Sequence, residues 1–206
     1  MPEIRSVCVF CGSSPGLDPD YTRAARELGA LLGQRRITLV YGGSSIGLMR
    51  AIADACLDNG GHVVGVMPQG LVDKEVAYAV LKEMHIVESM SIRKQTMADL
   101  SDAFIAMPGG IGTLDEIFEV MSWNQLGIMD KPMGLLNIKG YYDQLYAFLE
   151  YAVNQHFIRQ EHHKNLLINS RPGELLGMME KHISVKVDSK WIDELKSATS
   201  AQMNDQ

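Results

Sequence analysis

Chemistry concentrates in the stretch Pro108-Gly109-Gly110-Ile111-Gly112-Thr113-Leu114-Asp115-Glu116, where glycines follow an apolar run and precede a helical pattern. Glycines between a strand and a helix let backbone N–H groups approach an anion closely, and the helix start adds partial positive charge. A phosphate is the natural guest of such a loop, although a tight turn chosen for geometry uses the same residues. Glu116 also reads in two ways. Thr113-x-x-Glu116 has the spacing of a capping box, in which hydroxyl and carboxylate close a helix start reciprocally. A carboxylate in a first helical turn is also stabilised as the anion. That state suits activating water or opposing a developing cation better than donating a proton. On a helical wheel Glu116 falls in line with Val120 and Trp123, on an apolar margin.

Arg93 is the second chemical clue. In the segment Met90–Ser101, Met90, Met97 and Leu100 form an inward stripe, and Arg93 falls inside that arc. An unpaired guanidinium on a buried face is expensive, so an anionic partner is implied. An internal salt bridge or a side chain that snorkels outward are the structural alternatives. Lys94 sits at the edge of the stripe, where it could join Arg93 in neutralising a phosphate or polarising a base.

Other motifs point to no further chemistry. Gly42-Gly43-Ser44-Ser45-Ile46-Gly47 lacks the G-x-G-x-x-G spacing, follows the second strand, and has no acidic residue ending that strand to hold a ribose diol. A nicotinamide-dependent dehydrogenase is therefore a poor fit. No G-K-[ST] is present, which argues against a P-loop nucleoside triphosphatase. Cys8-Val9-Phe10-Cys11 has redox spacing, but Cys8 lies within a strand, so packing is the expected role. His156 and the pair His162-His163 have no acidic or cysteine partner at metal-ligand spacing, and no metal is expected. The methionines occupy helical stripe positions and read as core filling.

These residues need a scaffold, and the alternation of elements supplies one. Val7–Phe10, Thr38–Tyr41, His62–Met67, Ala103–Met107 and Met133–Asn137 read as strands, continuous enough in apolar character to be covered on both faces. Asp18 is a good N-cap and Pro19 a good first residue for a helix whose Tyr21, Ala25, Leu28 and Leu32 share one face. Further helices are expected over Gly47–Asn59, closed by Gly60–Gly61, and over Met90–Ser101, Thr113–Leu126 and Tyr141–Asn154. The rhythm predicts an α/β fold with one doubly wound parallel sheet and right-handed crossovers. Ligands of such sheets collect beyond the carboxyl ends of the strands. The irregular loops Cys11–Gly16, Tyr41–Gly47, Pro68–Glu75 and Pro108–Thr113 converge there, with Ser13, Gly42 and Gly43 as candidate rim contacts.

Composition bounds the partners. A 206-residue chain with 46% hydrophobic residues suits one domain, expected over residues 1–183, with a polar tail over 184–206 in which Trp191 packs back and the last residues fray. A net charge of −6 argues against wholesale binding to nucleic acid or an anionic membrane. No apolar run is long enough to span a bilayer, and no signal peptide is visible. Three cysteines in this setting fit a reducing cytoplasm.

The signature Pro108-Gly109-Gly110-x-Gly112-Thr113-x-x-Glu116, with the upstream pair Arg93-Lys94, resembles the LONELY GUY family of cytokinin riboside 5′-monophosphate phosphoribohydrolases, often labelled lysine decarboxylases. The resemblance runs from Ser6 to about Ile168 and includes Val7-Cys8-Val9-Phe10-Cys11-Gly12-Ser13-Ser14, Tyr41-Gly42-Gly43 and Gly134-Leu135-Leu136-Asn137. It implies a modified Rossmann fold, a homodimer, a small-molecule nucleotide substrate, and no metal or organic cofactor. Arg93 and Glu116 match the family's catalytic pair. Lys94, Gly109, Gly110, Gly112, Thr113, Glu75 and Ser122 match substrate-binding positions, and Ile111 and Asp115 fall within the same motif. Two departures bear on base preference: Ser91-Ile92 lacks a histidine common after the methionine, and Arg50 replaces a usual glycine.

The implied reaction is hydrolysis of the N-glycosidic bond of a nucleoside 5′-monophosphate, AMP or an isopentenylated AMP, to free base and ribose 5-phosphate. Departure of the base builds oxocarbenium character that a carboxylate stabilises. Glycoside chemistry thus points to Glu116 for opposing that charge or orienting water. Arg93 would assist the leaving base or lock the nucleotide in place, and the Gly109–Thr113 loop would hold the 5′-phosphate. A carrier on the same fold, of nucleotides or of molybdenum cofactor, would keep the glycine loop while needing neither Arg93 nor Glu116. A decarboxylase would need a lysine marked as a pyridoxal phosphate anchor, and none is evident.

Overall fold

Apolar runs without polar alternation are stable as strands only where both faces are covered, and the chain is arranged that way. The computed structural model describes residues 3–72 and 77–185. Glu75, Trp191 and nearly all of the expected tail lie outside the described residues. The strands are β1 (Ser6–Phe10), β2 (Thr38–Tyr41), β3 (Val63–Pro68), β4 (Glu83–Val87), β5 (Ala103–Ala106), β6 (Met133–Leu136) and β7 (Leu166–Asn169). They form one sheet in the order β4-β3-β2-β1-β5-β6-β7, with every pair parallel. This is the doubly wound α/β fold read from the sequence.

Alternate residues of each strand feed opposite cores. Val7 and Val9 of β1, Leu39 and Tyr41 of β2, and Ile105 of β5 pack with α1 (Pro19–Gln34), α2 (Gly47–Asp58) and, at the end of the chain, α8 (Pro172–Lys181). Cys8, Phe10, Val40, Phe104 and Ala106 pack on the other face with α4 (Met90–Asp99), α5 (Ile111–Gln125) and α6 (Asp143–Asn154). Two short helices, α3 (Gln69–Val72) and α7 (Gln160–Lys164), complete the set. The helix starts and stops follow local chemistry. The Asp18 carboxylate accepts the Asp20 N–H at 2.9 Å, with Pro19 next in line. The N–H groups of Gly60 and Gly61 close α2 on the carbonyls of Leu57 and Cys56.

The edge strands β4 and β7 were not expected from the sequence. An edge strand is covered less completely, so Glu83 and His85 break the apolar run of β4, and β7 is only four residues long. Helices α7 and α8 likewise went unread. In α4 the buried residues are Arg93, Met97 and Ala98, while Met90, expected inward, is exposed at the helix start.

Winding reverses between the neighbours β1 and β5. Helix α1 leaves β1 toward one face and α5 leaves β5 toward the other, which opens a crevice above their carboxyl ends. The Gly12 N–H crosses that crevice to the Pro108 carbonyl at 3.1 Å. Cys8 and Cys11 belong to opposite cores and all three cysteines are free, so the Cys8–Cys11 spacing forms no redox pair. Among the described residues, no helix is long and apolar enough to cross a membrane.

Burial makes a testable demand on pH. It pushes the Cys8 and Cys11 thiols well above the ordinary value of 9.0, with the Glu116 charge adding to both, and raises Cys56 to about 11. Below about pH 8 the folded and unfolded chains both keep these protons. Above it the unfolded chain releases protons that the folded chain retains, so stability falls as pH rises, by up to ~1.4 kcal/mol per pH unit per thiol. Denaturant unfolding under reducing conditions at pH 7, 8 and 10 should show nearly constant stability over the first interval and a decline over the second; constant stability over both would contradict the burial.

Candidate active site

Helix α4 projects Arg93 beneath the carboxyl ends of β2 and β3. Its Nε donates to the Val66 carbonyl at 3.0 Å, and its Nη1 lies 3.0 Å from Glu116 Oε1 on α5. Both residues are only 8% exposed. The anionic partner that the sequence demanded for Arg93 is therefore Glu116, and the internal salt bridge and the candidate catalytic pair are one interaction. A pair this buried loses several kcal/mol of hydration per ion, which the mutual attraction of the two charges only partly offsets.

The pair lies in the wall of a cavity of about 310 Å³ at the crevice. Gly12 and Ser13 after β1, Gly42 after β2, and Gly110, Ile111, Gly112 and Thr113 at the start of α5 also line it. Helix α5 begins at Ile111 with Gly110 as N-cap, two residues earlier than the sequence suggested. Thr113 is thus the third helical residue, no side chain caps the helix, and the expected capping box is not formed. Glu116 falls in the second turn, where the helix macrodipole is already weak, so Arg93 is its principal charge partner. The N–H groups of the first turn have no carbonyl behind them within the helix. They stand at a cavity whose arginine is paired with Glu116 and whose wall also carries Ser13 and Thr113, so the donors there that could meet an anion are backbone N–H groups and these two hydroxyls.

Two glycines are dictated by close approach. A Cβ on Gly42 would lie 2.5 Å from Arg93 Nη2 and 3.0 Å from Met49 Sδ; one on Gly109 would lie 2.2 Å from Thr113 Oγ1 and 2.9 Å from Gly12 N. Gly43 supplies a left-handed turn at φ 77° behind Gly42, and its carbonyl accepts the Tyr78 N–H at 3.0 Å.

Other candidates are placed elsewhere. Lys94 Nζ pairs with Asp115 at 3.1 Å and Glu119 at 3.0 Å, outside the cavity lining. Burial opposes its charge, yet the Glu119 and Asp115 carboxylates outweigh that effect and hold its pKa above the ordinary lysine value. Lys94 and Asp115 thus satisfy each other. Ser122 is exposed, two turns along α5 from Glu116, and its hydroxyl donates to the Phe118 carbonyl at 2.9 Å. Val9, Phe10, Met49 and Met97 were not anticipated as lining residues. Continuity with the cores hid them, since apolar residues at strand ends and on helix faces look alike whether or not a cavity adjoins them.

Crevice, helix start and buried Arg93–Glu116 pair together define a doubly wound α/β protein with a polar cavity at its winding reversal. The family model described as "Possible lysine decarboxylase" matches residues 49–179. The cytokinin riboside 5′-monophosphate phosphoribohydrolase LOG of Oryza sativa subsp. japonica is 43% identical over 192 residues, covering 93% of this chain and 79% of its own length. The enzyme of the same name, LOG1, from Arabidopsis thaliana is 46% identical over 181 residues, covering 88% and 85%. The chain belongs to this LONELY GUY family. Among solved structures, the molybdenum cofactor binding protein from Rippkaea orientalis superposes with a TM-score of 0.65 at 21% identity, over 87% of this chain and 97% of that one. At that identity the likeness is one of fold.

Gly42→Ala tests the close approach. The methyl group displaces the guanidinium and not the backbone, so the pair with Glu116 is disturbed while the fold persists. Activity should fall at least tenfold, the cost of a misplaced charge-assisted contact being about 1.5–3 kcal/mol, with a thermal midpoint within a few degrees of the parent. Wild-type turnover in a folded Gly42→Ala protein would separate Arg93 from the chemistry.

Proposed function

We propose that the protein hydrolyses the N-glycosidic bond of a nucleoside 5′-monophosphate, releasing the free base and ribose 5-phosphate. The observation that carries this reading is the buried Arg93–Glu116 pair, 3.0 Å apart, in a cavity whose rim is the N–H-rich start of α5. The names of relatives with 43–49% identity support it.

In the mechanism, the 5′-phosphate rests on the N–H groups of Gly110–Thr113 with the Ser13 and Thr113 hydroxyls. The ribose then lies between that cradle and Glu116. As the C1′–N bond breaks, its electron pair leaves with the base and positive charge grows on C1′ and the ring oxygen. Glu116 opposes that charge and accepts a proton from the water whose oxygen bonds to C1′. The proton balance closes when the departing base is protonated. Arg93 holds the carboxylate in orientation from below and stands ready to donate to the leaving group. Water is the sole co-substrate of this reaction.

The cavity lining contains no lysine among the described residues, so the decarboxylase description lacks the side chain that pyridoxal phosphate chemistry would need. The remaining parts of the reading are adenine or an isopentenylated adenine as the base, a homodimeric assembly, and a reducing cytoplasm suited to three free thiols.

Product analysis after incubation with AMP and with isopentenyladenosine monophosphate tests the reaction. Base and ribose 5-phosphate should appear in equal amounts with wild-type protein. Glu116→Gln keeps a polar partner for the buried guanidinium, whereas alanine would leave it unpaired; it should lower turnover by about 10³-fold or more in a folded protein. Release of base by Glu116→Gln at the wild-type rate would remove the carboxylate from the mechanism. Light scattering at micromolar concentration should give twice the chain mass, and a monomer would refute the dimer.

A further inference from the structure

Three consecutive carbonyls open the glycine loop, and each meets a donor. The Tyr142 hydroxyl donates to Met107 O at 2.6 Å, the Gly12 N–H to Pro108 O at 3.1 Å, and the Tyr141 hydroxyl to Gly109 O at 2.5 Å. Both tyrosines come from the turn after β6, an element with no residue in the cavity. That turn is itself held. Its single 3₁₀ turn, Ile138–Gly140, carries Lys139 at φ 56°, and the Lys139 ammonium reaches the Asp18 carboxylate that caps α1 at 3.4 Å. The Asn137 side chain accepts the Tyr142 N–H at 2.7 Å and donates to Asp143 at 2.6 Å. The Tyr141 ring packs edge-on against Tyr142 and Tyr21, with centroids 5.0 and 5.9 Å away. Packing therefore fixes where the two hydroxyls lie.

Peptide planarity converts that placement into a consequence for the site. Gly109 C=O and Gly110 N–H belong to one peptide unit and point in opposite directions. Tyr141 faces a second cavity, of about 280 Å³, on the α1 side of the loop, with Tyr21 and Leu48 in its wall. A Gly109 carbonyl drawn toward Tyr141 turns the Gly110 N–H the other way, toward the Arg93–Glu116 cavity that Gly110 also lines. Gly109 and Gly110 have no Cβ to restrict this unit. Released, it can rotate and present a carbonyl dipole to an incoming anion. We propose that Tyr141 and Tyr142 are positioning residues for the anion cradle, holding the Met107 and Gly109 carbonyls so that the Gly110 N–H and the first-turn N–H groups of α5 meet the substrate 5′-phosphate. In its reference to substrate, this rests on the phosphoribohydrolase reading above.

Tyr141→Phe keeps the ring and removes the donor. Its dissociation constant for inorganic phosphate, measured by calorimetry, should rise about tenfold, as loss of one well-aimed hydrogen bond to a charged group predicts. The KM for AMP should rise in parallel, with kcat within about twofold of wild type. Tyr142→Phe should shift both constants the same way and also lower the thermal midpoint by a few degrees, since it strands a carbonyl in the core. If Tyr142→Phe does not fold, Tyr141→Phe decides alone. Unchanged phosphate binding in folded Tyr141→Phe overturns the proposal, as does a fall in kcat at constant KM, or wild-type protein that binds no phosphate. Phosphate titration needs no turnover. Wild-type protein that binds phosphate but releases no base therefore sinks the hydrolase reading while leaving this test intact.

Discussion

The site depends on the reversal of winding between β1 and β5. Parallel strands oblige each crossover to pass over one face, and at this single junction the departing helices α1 and α5 part to opposite faces. The gap between them cannot be closed by either helix layer. Loops from both halves of the sheet therefore meet there, and the Gly12 N–H to Pro108 carbonyl bond ties them across it. Every candidate group that does reach the cavity arrives at the carboxyl end of a strand or on one of the flanking helices α4 and α5.

Burying Arg93 and Glu116 at this junction is costly in hydration, and replacing such pairs with apolar residues of similar volume is often neutral or stabilising. Stability alone thus offers a weak reason for the pair. A carboxylate held in place at a cavity wall, by contrast, is what a reaction passing through a cationic sugar requires. The surrounding charges are arranged to keep it undisturbed: Lys94, one residue from Arg93, is occupied by Asp115 and Glu119. With Arg93 paired to Glu116 and Lys94 to Asp115 and Glu119, the donors left for the proposed anion would be backbone N–H groups. Such donors keep their direction without side-chain entropy, provided the loop that carries them is braced.

Much of the fold was legible because its signals are local or periodic. The Asp18-Pro19 helix start, the Gly60–Gly61 stop and the doubly covered central strands all follow from residue chemistry within a few positions. The edge strands β4 and β7 were not legible, because a strand with one open side needs no continuous apolar run. In the site, Arg93 within an inward arc announced a buried partner, and the glycines announced a close backbone approach. The capping-box spacing of Thr113 and Glu116 misled for a physical reason. A helix can start on backbone geometry alone, and here it started two residues early, at Ile111 after the N-cap Gly110, which carried Glu116 out of the first turn and toward Arg93.

By itself, the sequence determined the α/β class, the glycine loop between strand and helix, and the presence of one arginine and one glutamate in settings that ask for a counter-charge. These follow from conformational preferences and burial costs that act over a few residues. The tertiary structure alone decided that these two residues answer each other, that Lys94 belongs to Asp115 and Glu119, and that tyrosines some thirty residues downstream grip the carbonyls of the glycine loop. Each of those pairings joins segments brought together only by the order of strands in the sheet, and hydrogen bonds and ion pairs reach no further than neighbouring atoms.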